Sequence, residues 1–540
     1  MNIFHDSYSN EYREPFGAAL TGSEVKLCLK ADDALSVSLH TYSEAEGDRM
    51  LPGEYRDGLY RWSVRMPQTD GLVWYFFVID YPDQTVCYGN NDQFRGGVGR
   101  IYYPGETPVS YKISVYHGFK APDWYKEGIV YQIFPDRFCR AEGTPEIHGR
   151  RYEEWDTLPY YIKDTDGSVQ VWNFWGGNLR GIADKLEYIK SLGVNTIYLN
   201  PIFRARSNHR YDTADYFEID PVLGTLRDFK DLCSAAKELD MHVILDGVFS
   251  HTGVDSKYFR DKPDWYQHNG DEVTYWWGVK DLPQLDEMNP EYSDMICGKD
   301  GVLRYWLEAG ADGWRLDVAD ELPDAFIRRI RRTVKEANRD NLLIGEVWED
   351  ASDKVDYGVR MHFLGGQELD SVMNYPLRED IIAFVRKDID AAEFASRQMS
   401  RMENYPKEAF MACFNCLGSH DRERILTALG SKEAVKFATA LQYVMPGVPV
   451  IYYGDETSIE GGTDPDNRRT YPWGREDEDM IEHFRSLGRI RKNSLCLKKG
   501  SFKIYAEDGN LVIERAYGSE QMRFVFDAER LTKRGTRIKQ

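Results

Sequence analysis

The chain has 540 residues, 42% of them hydrophobic, which is enough to bury large cores and to form two to four domains. Its formal net charge of −21 at pH 7 argues against nucleic acid or an anionic membrane as a partner, because both bind basic patches. The sequence has no run of about 18 apolar residues, so a membrane-spanning helix is not expected.

The N-terminal residues and the cysteines predict a cytoplasmic protein. Residues 1–6 lack both the basic and the apolar region of a signal peptide. Eight cysteines are scattered along the chain, and only Cys413 and Cys416 form a CxxC pair, with no second pair and no His pair at ligand spacing. Zinc is therefore not expected, and we interpret the cysteines as reduced thiols, several of them core fillers.

Residues 1–120 predict an N-terminal β-sandwich. Segments 25–30 and 35–39 alternate apolar and polar residues, and segments 58–64 and 72–79 follow after turns that contain Gly or Pro. Several short strands separated by regular turns are typical of a sandwich.

Residues 121–493 predict a closed (β/α)8 TIM barrel, because short apolar segments there alternate with amphipathic helices. The eight candidate strands are 129–134, 196–200, 242–249, 313–318, 342–347, 371–375, 412–417 and 449–453. A stretch at 138–175 and an insertion at about 251–292 exceed the basic barrel. An open doubly wound sheet is the alternative, and the count of eight favours the barrel. Residues 494–540 predict a short C-terminal β domain.

Polar residues gather at the carboxyl ends of the predicted barrel strands, where TIM barrels place their active sites. They are Asp246, His251, Arg315, Asp317, Glu346, His420 and Asp421. A single strand-end Asp is more often a helix cap, and Arg315 with Asp317 could form a structural ion pair. Glu346, however, lies in an apolar segment and must be satisfied or functional. Their convergence on one rim predicts an active site.

Two of these acids suit the hydrolysis of a glycosidic bond, which needs one ionised and one protonated carboxyl group. Asp317 should be the ionised nucleophile because Arg315 is close to it in sequence. Glu346 should hold its proton to higher pH because its neighbours are apolar. Asp421 would then bind sugar hydroxyls. A retaining reaction predicts about 5–5.5 Å between the carboxyl groups of Asp317 and Glu346.

Five segments resemble the signature regions of the α-amylase superfamily: 246–251, 313–321, 345–348, 417–421 and 447–456. They occur in the family's order on the third, fourth, fifth, seventh and eighth strands. The resemblance implies that Asp317 is the nucleophile, Glu346 the acid/base and Asp421 the transition-state stabiliser. It implies substrate-binding roles for Tyr211, Asp246, His251, Arg315, His420, Asp464 and Arg468.

Segments 133–138, 174–181, 207–216 and 464–469 resemble the neopullulanase, cyclomaltodextrinase and maltogenic amylase group. That resemblance implies a carbohydrate-binding-like N-terminal domain and a cytoplasmic homodimer. It also implies retaining hydrolysis of α-1,4-glucosidic bonds in cyclodextrins, maltooligosaccharides or pullulan. An α-glucosidase or a transglycosylase acting on short α-glucans is the alternative. A non-catalytic carbohydrate-binding protein should lack at least one of the three acids, and all three are present.

The chain departs from this group where calcium would bind. The group has an Asn- and Asp-rich calcium loop after the position of Phe138, whereas segment 139–146 here is poor in such residues. Asn178 and Ser250 stand where Asp and Asn are common. Because a hard cation needs several oxygen ligands, calcium is doubtful, and we expect no metal ligand and no required cofactor. Segment 282–286 also differs from the group, so the preferred substrate stays open.

Overall fold

The computed structural model describes residues 1–165, 167–356 and 358–537. Its N-terminal region consists of two packed, mainly antiparallel sheets. The first contains Ile3–Phe4, Arg13–Glu14, Glu24–Ala31, Glu54–Arg56 and Leu59–Arg65, and the second contains Ala19–Leu20, Ser36–Ser43, Gly47–Pro52, Gly71–Asp80, Thr85–Gly89, Arg100–Tyr102 and Tyr111–Tyr116. Alternate residues such as Leu27, Leu39 and Phe77 point into a common core.

Eight parallel strands form the predicted barrel. They are Val130–Ile133, Thr196–Leu199, His242–Gly247, Gly313–Leu316, Leu342–Gly345, Ser371–Val372, Phe414–Cys416 and Val448–Tyr452. The first strand pairs with the second and also with the eighth, since Val130 lies opposite both Thr196 and Val450. A parallel bridge between Met373 and Phe414 joins the sixth and seventh strands and completes the ring. The barrel is thereby confirmed and the open sheet excluded.

Several barrel strands end earlier than predicted. The fourth and fifth strands stop at Leu316 and Gly345, so Asp317 and Glu346 are the first residues of the loops that follow. The sixth strand has only two residues. After the fourth strand the backbone leaves the strand conformation, as the left-handed φ of +38° at Val318 shows.

Amphipathic helices surround the barrel because each buries one apolar stripe against the strands. The principal ones are Leu179–Ala183, Leu186–Ser191, Leu226–Glu238, Pro290–Cys297, Val302–Ala309, Asp324–Ala337, Tyr375–Arg386, Ala391–Asn404, Ile425–Leu429, Lys432–Val444, Glu478–Asn493 and Leu495–Lys499. In Leu226–Glu238 the apolar residues at helical spacing, Phe229, Leu232 and Ala236, are buried. Thr225 begins this helix with a capping box.

Two excursions from the barrel carry short elements. The 138–175 stretch contains the pairs Arg151–Tyr152 with Asn173–Phe174 and Ile162–Lys163 with Val169–Val171. The 251–292 insertion contains the helix Lys257–Asp261, the pair His268–Asn269 with Glu272–Val273 and the 3-10 turn Trp276–Gly278. Residues of both excursions line the cleft described below.

A four-stranded antiparallel sheet ends the described chain: Ser501–Glu507, Asn510–Tyr517, Glu520–Asp527 and Thr532–Arg537. It confirms the predicted C-terminal β domain. Its last strand, Thr532–Arg537, is an exposed edge strand with no apolar alternation. Within 1–165, 167–356 and 358–537, no helix is long and apolar enough to cross a membrane.

Candidate active site

A cleft of about 800 Å³ lies at the carboxyl ends of the barrel strands. Eight of the ten residues that sequence analysis assigned to the site line it: Tyr211, His251, Asp317, Glu346, His420, Asp421, Asp464 and Arg468. The other two, Asp246 and Arg315, are buried and contact these residues from below the surface. The predicted set therefore converges on one place.

Arg315 lies at the centre of the cluster. Its Nη1 donates to Asp246 Oδ1 at 2.7 Å and to Asp317 Oδ1 at 2.8 Å. Its Nη2 lies 2.8 Å from Glu346 Oε2. One buried guanidinium thus contacts three carboxyl groups and holds Asp317 and Glu346 beside each other.

Asp246 organises the tyrosine that lines the cleft. Its Oδ2 accepts hydrogen bonds from Tyr198 Oη at 2.6 Å and from Tyr211 Oη at 3.0 Å. The ring of Tyr211 is nearly parallel to that of His420, with an interplanar angle of 5° and 5.3 Å between the centroids. Asp246 is itself 1% exposed, so it acts through its partners.

His420 is oriented by two amides that sequence analysis did not identify. Gln132 Nε2 lies 3.0 Å from His420 Nδ1 and donates to Asn200 Oδ1 at 3.1 Å. His420 Nε2 lies 3.0 Å from Asp421 Oδ2. The Nε2–H of His420 is thereby directed toward Asp421. The sequence signal for Gln132 is that it is a polar residue inside the apolar 129–134 segment.

The environment of Glu346 favours its protonated form. Burial raises the pKa of Glu346 to about 7, although Arg315 opposes the shift. The backbone N–H of Val318 donates to Glu346 Oε2 at 2.9 Å and fixes its direction. Val318 adopts φ +38°, which is costly for a β-branched residue and typical of functional sites.

The pKa of Asp317 differs from the sequence-based expectation that this carboxyl group is readily ionised. Burial raises the pKa of Asp317 well above its usual value, and the attraction of Arg315 does not compensate. Arg315 was expected to keep Asp317 ionised, but its charge is shared with Asp246 and Glu346. Because Asp317 and Glu346 interact, a proton on Glu346 favours ionisation of Asp317.

Asp421 is the acid that stays ionised most readily. Burial raises its pKa, but the charges of His420 and Arg468 outweigh burial and hold the pKa of Asp421 below its usual value. Arg468 Nη2 lies 3.7 Å from Asp421 Oδ1, and its Nε donates to the His420 carbonyl at 3.0 Å.

Three further side chains, those of His251, Asp464 and Tyr161, present polar atoms to the cleft. His251 is buried, which lowers its pKa to about 3, and its Nε2 has no hydrogen-bond partner among the described residues. Arg468 Nη1 pairs with Asp464 Oδ1 at 2.8 Å. Tyr161, which sequence analysis missed, donates to Asp464 at 2.8 Å.

Residues that follow Glu346 in the sequence contribute to the outer wall of the cleft. Trp348 stacks on Tyr375 with 4.2 Å between the ring centroids and an interplanar angle of 3°. The Arg422 guanidinium lies beside this stack, 4.7 Å from the Trp348 centroid and 5.8 Å from the Tyr375 centroid. Lys354 donates to Asp320 at 2.7 Å. Trp348, Lys354 and Arg422 lie in loops whose sequence has no periodicity to identify them.

The residues at the positions compared with calcium ligands make hydrogen bonds within the protein. The Asn178 side chain accepts from Gly181 N at 2.8 Å and donates to Thr144 Oγ1 at 3.0 Å, so it caps a helix. Arg140 donates to the Thr144 carbonyl at 3.1 Å, which places a cation of the protein itself in this loop. Ser250 Oγ lies 2.9 Å from the ring of His251. In the described portions of the chain, no group of three or more His, Cys, Asp or Glu residues is placed to hold a metal ion.

Comparison with known proteins agrees with this geometry. Residues 132–278 and 262–495 match the family description "Alpha amylase, catalytic domain". An amylopullulanase from Thermoanaerobacterium saccharolyticum is 36% identical over 605 residues, covering 95% of this chain and 46% of that protein. A cyclomaltodextrinase from Geobacillus thermopakistaniensis is 34% identical over 524 residues, covering 88% of this chain and 84% of the relative.

Solved structures extend the likeness to the fold. The cyclic α-maltosyl-(1→6)-maltose hydrolase from Arthrobacter globiformis, in complex with cyclic α-maltosyl-(1→6)-maltose, aligns with a TM-score of 0.68. It is 32% identical and covers 75% of this chain and 91% of that chain. The chain spans less than half the length of the amylopullulanases that it matches. The protein belongs to the α-amylase family.

Proposed function

We propose that the protein is a retaining glycosidase that hydrolyses α-1,4-glucosidic bonds in cyclodextrins, maltooligosaccharides or pullulan. The observation that carries the proposal is the contact of Asp317 and Glu346 with one guanidinium, that of Arg315. This arrangement supports a short separation between the two carboxyl groups, which a retaining mechanism requires. The predicted separation of about 5–5.5 Å stays a prediction.

In the first step Glu346 acts as the acid. It donates its proton to the glycosidic oxygen as the Asp317 carboxylate attacks the anomeric carbon, and the leaving sugar departs. A covalent glycosyl-enzyme ester on Asp317 results. In the second step the Glu346 carboxylate takes a proton from water, and this water attacks the anomeric carbon and releases Asp317. Glu346 is then protonated again.

The remaining residues bind the sugar whose bond is cleaved. The ionised Asp421 accepts hydrogen bonds from sugar hydroxyls and stabilises the positive charge of the transition state. His251 Nε2 and His420 bind hydroxyls of the same sugar, and Tyr211 stacks on its face. Asp246 positions Tyr211, and Arg315 positions Asp317 and Glu346. Asp464 and Arg468 bind sugars farther along the donor side.

Transglycosylation is the second candidate, because the same ester on Asp317 can be attacked by a sugar hydroxyl instead of water. The aromatic side chains of the cleft, such as Trp348, favour binding of an acceptor sugar. Products from maltotriose separate the two reactions. Mostly glucose and maltose support hydrolysis, whereas mostly longer oligosaccharides support transfer.

Release of reducing ends from β-cyclodextrin tests the function. We expect activity on β-cyclodextrin that exceeds activity on starch. Asp317→Asn should lower kcat by several orders of magnitude while the circular dichroism spectrum is unchanged. Asp231→Asn, at an exposed helix position, is the matched control and should keep full activity. Full activity of Asp317→Asn would refute the assignment.

We also propose that the enzyme is a cytoplasmic homodimer that needs no metal. All eight cysteines are free thiols, which fits a reducing compartment. The relation to cyclomaltodextrinases supports the dimer, which sedimentation equilibrium tests directly. The hydrogen bonds of Asn178 and Arg140 support independence from calcium, and activity should persist after dialysis against EDTA.

A further inference from the structure

Two adjacent tryptophans in the 251–292 insertion are fixed by one carboxylate. Trp276 Nε1 donates to Glu321 Oε2 at 2.7 Å, and Trp277 Nε1 donates to Glu321 Oε1 at 2.6 Å. Glu321 ends the short 3-10 helix Ala319–Glu321, directly after Asp317 and Val318. The insertion and the loop of the nucleophile are thereby joined at the cleft.

The conformation of Trp277 is costly and does not serve the core. Trp277 is 78% exposed, and its backbone φ is +50°. A bulky residue in the left-handed region and an exposed indole both cost free energy. Strain of this kind collects at binding sites, where a ligand makes use of the geometry. The stability of the fold does not explain this conformation, whereas a ligand that binds the exposed face of the indole does.

The surroundings of the pair place this ligand beside the reaction centre. Trp276 stacks on His251, with 4.8 Å between the centroids and an interplanar angle of 30°. Val318, on the same short loop as Glu321, donates its N–H to Glu346. Because Glu346 protonates the departing oxygen, the wall that carries Glu346 and Glu321 faces the leaving group.

We propose that the exposed face of Trp277 is a stacking platform for a glucosyl ring on the leaving-group side of the scissile bond. This rests on the proposed function. Glu321 is the positioning residue that holds the indole at the required angle. The flat apolar face of an indole suits the apolar face of a glucosyl ring. The platform selects α-glucans that extend beyond the cleaved bond, including cyclic ones.

Two types of substrate test the platform. β-Cyclodextrin and maltoheptaose place glucosyl rings on the leaving-group side, whereas α-maltosyl fluoride places only a fluoride ion there. Trp277→Ala should lower kcat/KM for both glucans about tenfold and leave kcat/KM for α-maltosyl fluoride within about twofold of wild type. For each variant, the ratio of kcat/KM on the glucans to kcat/KM on α-maltosyl fluoride is compared with the wild-type ratio.

Two further variants sharpen the result. Glu321→Gln offers only one acceptor oxygen for two indole N–H groups, so it should lower glucan activity in the same selective way but less than Trp277→Ala. Val279→Ala truncates an apolar side chain of the same loop that is 45% exposed and outside the cleft, and should leave all three activities unchanged.

The outcomes separate the platform from the proposed function. Unchanged glucan activity in Trp277→Ala, or an equal loss on the glucans and the fluoride, would overturn the platform. If Trp277→Ala does not fold, a non-selective effect of Glu321→Gln overturns it instead. A wild-type enzyme inactive on all three substrates would contradict the proposed function and leave the indole pair to a different ligand.

Discussion

Arg315 gives one positive charge to three buried acids, Asp246, Asp317 and Glu346. The cluster therefore contains more potential negative than positive charge, and this favours the retention of a proton. The proton is shared by an interacting pair and not owned by one residue. Burial and the shared cation together explain how one cluster supplies both an acid and a nucleophile.

This sharing leads to a prediction about pH. The pKa of Glu346 is raised to about 7 by burial, so the acid is lost as pH rises through that value. We expect kcat/KM on β-cyclodextrin to fall above about pH 7. On α-maltosyl fluoride the fall should be absent or weak, because fluoride leaves without protonation. Parallel pH profiles for the two substrates measure the effect, and identical alkaline limbs would contradict it.

Much of the reaction centre could be predicted residue by residue. Asp317, Glu346 and Asp421 follow apolar strands, where a charged residue is conspicuous. Gln132 and Asn200 contact His420 and Tyr211 from beneath the cleft, but they lie in or directly after such strands, and an amide there is ambiguous. The division of the Arg315 charge could not be predicted, since it depends on distances between three different strands.

At the scale of elements, a short hairpin covers one end of the cleft. It consists of Ile162–Lys163 and Val169–Val171, and Tyr161 immediately before it donates to both oxygens of Asp464 at 2.8 Å. Asp464 in turn pairs with Arg468. The 138–175 stretch could be predicted only as excess length, because such small elements have no measurable periodicity.

Tyr161→Phe tests the role of this hairpin. The variant keeps the ring but loses the charge-assisted hydrogen bond to Asp464, so the hairpin should hold donor sugars less well. We expect KM to rise several-fold for α-maltosyl fluoride and for maltoheptaose alike, with kcat nearly unchanged. Tyr160→Phe is the matched control, since Tyr160 donates to Glu153 away from Asp464. An effect restricted to maltoheptaose would contradict the assignment.

At the scale of the whole molecule, the N-terminal domain supports the loop that follows Glu346. Lys112 lies 2.5 Å from Asp353, and Glu44 lies 3.2 Å from Arg360. Asp70 lies 2.7 Å from His362 and also contacts His117 and Arg328, at 3.3 Å and 3.6 Å. The pairs between the two domains could not be predicted, because their partners are far apart in sequence and neither domain requires them for its own fold.

The pair of Asp70 and His362 predicts a pH-dependent stability. The hydrogen bond to Asp70 raises the pKa of His362, although burial lowers it. The pair therefore stabilises the fold fully below the unfolded pKa of His, about 6.5, and this contribution is lost as pH rises through the higher folded value. Asp70→Asn should lower Tm more at pH 6 than at pH 9, as measured by calorimetry.

Asp92→Asn is the control for this experiment. Its partner, Arg100, belongs to the same domain, and the Asp92 side chain is 67% exposed. Exposed pairs contribute little, so Tm should hardly change at either pH. An equal loss of Tm at pH 6 and pH 9 in Asp70→Asn would show that the charge of His362 does not contribute.

The ring of barrel strands is not uniformly strong. Its sixth strand has two residues, and it joins the seventh through the bridge at Met373 and the bond from Asn374 N to Phe414 O at 2.9 Å. Fewer backbone hydrogen bonds across this seam mean a lower free energy of local opening. Amide hydrogens at 371–374 should exchange with deuterium sooner than those of Leu342–Gly345, so transient opening of the barrel begins beneath the stack of Trp348 on Tyr375.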